Sequence, residues 1–229
     1  LLHGETVDTP IQENTALREL KSSTKTIWSL FLFSGYLKPV SRTMDERNEG
    51  VLSYQLAIPN LEVQCFFQET VLSWLERKIG SDELQKMLKS LVNSDFKVFS
   101  RYLANFVRSI LSQYDVCYDE PERVYQAFVL GLLVQLQSQY VIRSNRESGY
   151  GRYDLMMIPK DKTRPGIIFE FKKLDAEDDK TAEAALENAL KQIKDKDYAA
   201  DLRQEGASQI EALAIVVDQK KLWMKQKTL

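Results

Sequence analysis

GYGRYDLMMIPKDKTRPGIIFEFKK, residues 149–173, decides how this chain is read. RYDLMMIP and GIIFEFK have the length and apolar content of strands, and KDKTR between them reads as a solvated hairpin turn. The sequence places Asp154 inside the first strand, with Glu170 and Lys172 one residue apart on the second. Side chains at i and i+2 of a strand point to the same face. Glu170 and Lys172 therefore point together, and Phe169 and Phe171 face the other way. With the strands paired, Asp154 sits beside them, so two carboxylates and an ammonium share one sheet face. Two carboxylates and a backbone carbonyl next to Glu170 form a hard oxygen set of the kind that holds Mg²⁺. Such an ion polarises a phosphodiester and acidifies a bound water. A neighbouring lysine orients that water and offsets charge on the phosphate.

Outward from this stretch, YVIRS (140–144) supplies a further strand before it. After it comes one long helix, expected at roughly residues 178–203, with Ala182, Ala185, Leu186, Ala189, Leu190 and Ile193 on one side. IEALAIVVD and KLWMK close the chain as two strands. The helix before YVIRS starts at Pro121, a residue suited to a first helical turn, and runs to about Gln139. The second half thus reads as an α/β fold, a small mixed sheet flanked by helices. The first part reads as mostly helical. TIWSLFLFSGYL is a buried helix stopped at Gly35, and Ser41 to Gly50 is turn-like. VLSYQLAI is a strand. Asn60 caps a helix with a broad apolar stripe from Leu61 to Leu75, and two more helices follow near 81–91 and 94–114. A short helix is expected near Thr15 to Leu20. YDVCYDEPERV (114–124) marks the seam, dividing the chain into residues 1–115 and 116–229.

Composition narrows the chemistry. Lys plus Arg number 31 and Asp plus Glu 33, a net charge of -2, so the chain is no generally basic coat protein, though a local basic cleft is compatible with it. The one histidine, His3, lies near the terminus, and the two cysteines, Cys65 and Cys117, form no CxxC pair. Zinc sites and Ser-His or Cys-His machinery within the chain lose their central residue. Cys65 reads as buried. No apolar run reaches membrane-spanning length, LLHGETVDTP is no secretory signal, and a reducing, cytoplasmic setting is expected. The chain lacks an initiating Met and reads as a piece of a longer protein.

The order Asp154, Glu170-x-Lys172 resembles the PD-(D/E)XK nuclease superfamily. The resemblance is closest to the nuclease-like region at the C-terminal end of bacterial AAA-ATPase-like proteins, with related modules in toxins of intracellular symbionts. LFLFSGYL and YQLAIPNLEV look like that family's linker between ATPase and nuclease parts. PERVYQAFVLGLL, ESGYGRYDLMMIP, FEFKK and ALKQIKDKDYA follow its nuclease part in order. The resemblance implies a restriction-endonuclease-like core and Mg²⁺-dependent (or Mn²⁺-dependent) hydrolysis of nucleic acid, DNA first. It implies Asp154 and Glu170 as metal ligands, Glu122 as an extra acidic residue on the first core helix that completes or tunes the metal shell, and Lys172 as the catalytic residue that orients the water. Gln192 and Tyr198 would contact the substrate backbone or support Lys172. Arg152, two residues before Asp154, would share its face and touch phosphate, and Gly149 and Gly151 would let the loop approach substrate closely. It further implies a missing ATPase part or other protein partner, and delivery into a host cell if the chain belongs to a symbiont effector.

Two positions depart from the family. Gln126 stands where a His usually follows the helix Glu by four residues, and Tyr153 stands where the superfamily has Pro. Gln126, the net negative charge and the acidic run AEDDK (176–180) motivate the alternative, a catalytically inactive nuclease-like module that binds nucleic acid or a protein. Taken singly, the site residues have ordinary readings as well. An ExK triplet is commonly a surface ion pair. Glu122 in a first turn suits the helix dipole. Arg152 pairs equally well with Glu147. The aromatic residues of LFLFSGYL and CFFQETVLSWL read as core.

Overall fold

A computed structural model of the chain describes residues 1–2, 4–11, 24–44, 52–111, 121–174, 181–218 and 221–229. The expected helix near Thr15, His3, most of the seam with Cys117, and the AEDDK run lie outside the described residues. The chain divides into two compact units, Leu1–Val71 and Leu72–Leu229. Among the described residues no helix is long and apolar enough to cross a membrane.

The first unit contains a three-stranded antiparallel sheet ordered β1-β3-β2, built from β1 (Val7–Pro10), β2 (Lys38–Met44) and β3 (Leu52–Ala57). Only β3 was legible. β2 is an edge strand of mostly exposed polar residues with a bulge between Pro39 and Ser41, so Ser41 to Met44 carries no alternation and reads as a turn. Helix α1 (Thr24–Phe33) ends two residues before Gly35, as expected. Asn60 Oδ1 accepts the N–H of Val63 at 3.0 Å, the cap predicted for α2 (Leu61–Ile79). The apolar stripe of α2 is less buried than its sequence implies, with only Leu75 fully buried. Phe31, Tyr36, Phe66 and Phe67 form a ring cluster with centroids 5.4 to 6.1 Å apart. Phe33, Tyr36, Leu61 and Phe66 nevertheless stay exposed, and so does Cys65, contrary to the expectation of a buried thiol. Helical periodicity shows that residues share a face. It does not show that the face is covered.

The second unit takes in α2 from Leu72 onward and continues with α3 (Ser81–Val92), α4 (Phe96–Leu111) and α5 (Pro121–Leu133), the last running into a 3₁₀ turn at Val134–Leu136. Five strands follow in one mixed sheet: β4 (Tyr140–Ser144), β7 (Leu155–Pro159), β8 (Gly166–Lys173), β9 (Ile210–Asp218) and β10 (Lys221–Thr228), in the order β10-β9-β8-β7-β4. β8 and β9 are parallel and the other pairs antiparallel. Parallel neighbours need a crossover, which α6 (Ala182–Asp195) and α7 (Ala200–Gln204) provide. The small residues Ala185 and Ala189 of α6, and Ala212 and Ala214 of β9, let helix and sheet meet closely in a core with Met156, Ile158, Ile168 and Ile193. Phe169 and Phe171 stack at 6.4 Å on the other face, and α5 packs against β8 and β9. The fold is the α/β arrangement expected, a small mixed sheet flanked by helices.

Two local expectations are corrected. The long helix of residues 178–203 is two helices: α6 starts at Ala182, capped by Thr181 Oγ1 accepting the N–H of Ala184, and stops at Asp195. Asp197 takes φ +48° in the intervening turn, a conformation that α-helix cannot absorb and that Asp tolerates better than most residues. A short separate hairpin, β5 (Glu147–Ser148) and β6 (Gly151–Arg152), also precedes β7, where a single strand from Arg152 was expected.

Candidate active site

Glu170 and Lys172 lie on one face of β8, as their spacing requires. Lys172 Nζ stands 3.1 Å from Glu170 Oε1. Glu170 is 2 % exposed, whereas Lys172 is about half-buried, so its head reaches the solvent edge. Asp154 is not within a strand. It occupies the bend just before β7. Pairing of β7 with β8 ends at Leu155↔Phe169, and beyond that rung Asp154 Oδ2 accepts the N–H of Phe171 at 2.7 Å. The sheet thus supplies one donor that fixes the carboxylate beside Glu170.

The two acids are coupled. Burial, then the neighbouring Asp154, pushes the Glu170 carboxyl up to about 7 against the opposing pull of Lys172. Burial likewise raises Asp154, opposed by the Phe171 N–H and Lys172 and reinforced by Glu122. Glu122, in the first turn of α5, reaches this electrostatic neighbourhood from the helix. One carboxylate oxygen on each of Glu122 and Glu170 (Oε2 in both) is buried without a hydrogen-bond partner. Buried oxygens of this kind are costly unless something binds them.

Gln192 and Tyr198 meet although they are six positions apart, because the helix α6 ends between them. Gln192 Nε2 donates to Glu170 Oε1 at 2.6 Å and to Tyr198 Oη at 3.1 Å. Tyr198 is buried, edge-on to Tyr153 at 6.3 Å. Gln192 thus holds Glu170 directly, and Tyr198 holds Gln192. Arg152 lies in the β5–β6 hairpin opposite Glu147. That hairpin is a different sheet from β7, so the same-face reasoning with Asp154 does not hold. The close approach made by Gly149 and Gly151 is internal. A Cβ on Gly149 would stand 2.2 Å from the Lys196 carbonyl oxygen, and one on Gly151 3.1 Å from the Tyr198 ring.

Gln126 stands where the family pattern has His. In the structure its Nε2 donates to the Asp154 carbonyl at 3.1 Å and to Asn145 Oδ1 at 3.3 Å. Asn145 N–H donates to the same carbonyl at 3.0 Å. Asn145 was missed, and its only sequence signal was an Asn in a turn position. Residues 122 and 126 are one helical turn apart and face the same side, which was the available signal for Gln126.

Among the described residues, no three His, Cys, Asp or Glu side chains come together as a metal-holding cluster. The fit to a hard divalent ion rests instead on two adjacent carboxylates, Asp154 and Glu170, one with an unpartnered buried oxygen, and on Glu122 nearby. That set suits Mg²⁺ or Mn²⁺ in donor chemistry.

Residues 120–227 match a family model described as the PD-(D/E)XK nuclease superfamily, which supports that superfamily for this stretch. No curated protein and no solved structure matches the chain.

Proposed function

We propose that this chain, with residues 120–227 of PD-(D/E)XK type, hydrolyses phosphodiester bonds of DNA with Mg²⁺, or Mn²⁺, held by Asp154 and Glu170. The observation that carries the reading is the Glu170–Lys172 pair at 3.1 Å beside an Asp154 whose carboxylate is fixed by the Phe171 N–H. When bound, the ion supplies Lewis-acid polarisation of the phosphate and a water more acidic than bulk. The chain supplies positioning. Gln192 occupies Glu170 Oε1 and leaves Oε2 for the ion. Gln126 and Asn145 hold the Asp154 backbone. Glu122 tunes the negative charge of the pocket. Lys172 orients the attacking water and offsets charge on the scissile phosphate. The water oxygen bonds phosphorus as the bond to the 3′ oxygen breaks; the water gives up a proton to bulk solvent, and the leaving oxygen takes one from solvent. Arg152 is exposed and available to the substrate backbone.

The test is cleavage of linear, circular and single-stranded DNA with and without Mg²⁺ or Mn²⁺. Glu170→Ala and Lys172→Ala should each abolish metal-dependent cleavage while circular dichroism shows an intact fold. Unchanged cleavage in both variants overturns the assignment.

One observation favours a second reading, an inactive nuclease-like module that binds nucleic acid or a protein: the missing three-acid cluster among the described residues. Calorimetry separates the two. Divalent-ion binding that is lost in Glu170→Ala, together with turnover, supports the enzyme, and DNA binding without either supports the module. An ATPase or other protein partner and delivery into a host cell belong to the proposal through sequence resemblance, and a cytoplasmic setting through cysteine usage.

A further inference from the structure

The β5–β6 hairpin is short, yet it is locked in place. Tyr150 N–H donates to the Lys196 carbonyl at 2.7 Å, and Ser148 Oγ donates to the Tyr198 carbonyl at 3.0 Å. Gly149 sits at φ +60°, where a Cβ would strike the carbonyls of Lys196 and Asp197 at 2.2 and 2.5 Å. A Cβ on Gly151 would meet Tyr198 Oη at 3.2 Å. That hydroxyl accepts from Gln192, which holds Glu170. The hairpin is therefore coupled to the carboxylate site through Gly151, Tyr198 and Gln192 in succession. Its backbone cannot retreat, because glycines let it lie against the α6–α7 turn with no intervening side chain.

Against this fixed backbone, one side chain points outward. Tyr150 is 81 % exposed, the most exposed large hydrophobic residue described, while the neighbouring Tyr153 and Tyr198 are buried. Single exposed aromatics are ordinary on surfaces. An aromatic displayed on an immobilised two-glycine tip, linked through Tyr198 and Gln192 to the Glu170 carboxylate, has a narrower use. The tip is flanked by three exposed cations, Arg146, Arg152 and Lys196, with the Lys196 stem 3.3 Å from the Gly151 Cβ position. The exposed acids nearby are Glu147, opposite Arg152, and Asp195, while Asp197 is held by Arg203 at 2.6 Å.

We propose that Tyr150 is a base-stacking residue. It holds an unpaired nucleotide next to the scissile phosphate, while Arg146, Arg152 and Lys196 hold flanking phosphates. The substrate class is then nucleic acid with a single-stranded segment (an overhang, flap or loop), because a base in continuous duplex presents no free face to a tip residue. Cationic contacts alone grip any strand. The aromatic contact requires an exposed base.

This rests on the nuclease reading, and the experiment separates the two. Fluorescently labelled DNA oligonucleotides of about twelve nucleotides are titrated with the whole chain in EDTA, so that strands stay intact. Three forms are used: single-stranded, fully paired, and single-stranded with abasic sites. Tyr150→Ala should weaken binding of the single strand roughly tenfold. Tyr150→Trp should keep it within a few fold. Neither should change affinity for the duplex, and the abasic strand should bind wild type and Tyr150→Ala alike. Equal affinities of wild type and Tyr150→Ala for the single strand overturn the stacking role, as does an equal loss on strand and duplex. If wild type still cleaves DNA with Mg²⁺ in either case, only the stacking role falls. A wild-type chain that binds none of the three forms overturns the stacking role, and one that also fails to cleave DNA with Mg²⁺ removes both.

Discussion

The side-chain amide of Gln192 on α6 donates to Glu170 Oε1 on β8 at 2.6 Å, and Lys172 Nζ approaches the same oxygen at 3.1 Å. Both donors fall on one oxygen, and Oε2 is left buried and unpartnered. The helix after the ExK strand therefore chooses which carboxylate oxygen is open. Gln192→Leu should release that choice. Partners one step removed from a metal-binding carboxylate typically carry 10- to 100-fold in activity or metal affinity. The expected outcome is a loss of roughly that size in kcat, with apparent Mg²⁺ affinity weakened, measured by initial rates across a Mg²⁺ titration. Wild-type rates and Mg²⁺ dependence in Gln192→Leu would show that Glu170 needs no such support.

Because burial and Asp154 raise the Glu170 carboxyl from 4.5 to about 7, the folded state binds its proton more tightly than the unfolded chain does. The group's contribution to stability is then greatest below about pH 4.5 and is lost as pH rises through about 7, at about 1.4 kcal/mol per pH unit. The penalty above pH 8 is roughly 3 kcal/mol. Glu170→Gln removes it. Thermal melts without divalent ions should show the variant more stable than wild type at pH 8.5 and nearly equal to it at pH 4.5. Mg²⁺ should raise the wild-type melting temperature at pH 8.5 far more than at pH 5, where Glu170 is protonated. A variant advantage that is flat with pH would contradict the burial account.

How far the sequence reveals this site depends on the range of each interaction. The Glu170–Lys172 pair and the Phe169–Phe171 stack follow from two-residue alternation, a local rule, and both are present. Asp154 was legible as a neighbour but not as a bend residue, because its position depends on where β7 stops pairing with β8. The contact between Gln192 and Tyr198 contradicts ideal helical spacing and follows from the Asp197 turn. No composition signal forces that break. β2 escaped notice for a related reason: an exposed edge strand has no buried face to impose alternation on its residues.

Gln126 supplies a second positioning contact. It donates to the Asp154 carbonyl at 3.1 Å, which Asn145 N–H also holds. Gln126→Ala should lower kcat about tenfold and leave KM for DNA nearly unchanged, since Gln126 reaches the backbone of Asp154 and no substrate group. A rise in KM at constant kcat would instead place Gln126 against the substrate. Loss of the two side-chain hydrogen bonds of Gln126 should cost about 2 kcal/mol in urea unfolding, little enough that the variant folds.

Gly149 is where hairpin and helix turn press hardest. Alanine there would place its Cβ 2.2 Å from the Lys196 oxygen and 2.5 Å from the Asp197 oxygen, at φ +60°. These are backbone atoms of a turn that is itself at positive φ, so neither side yields by a rotamer change. The left-handed backbone alone costs about 1 kcal/mol for a non-glycine residue, and relieving the clash must move the hairpin off the α6–α7 turn. Gly149→Ala should therefore lower stability by about 2 kcal/mol or more. It should also speed hydrogen exchange at the Tyr150 amide, which now bonds the Lys196 carbonyl at 2.7 Å. The core amides of β8 and β9, sequestered in the sheet, should keep their relative protection. Uniform loss of protection throughout the second unit would mean that the hairpin is integral to the core and does not open by itself.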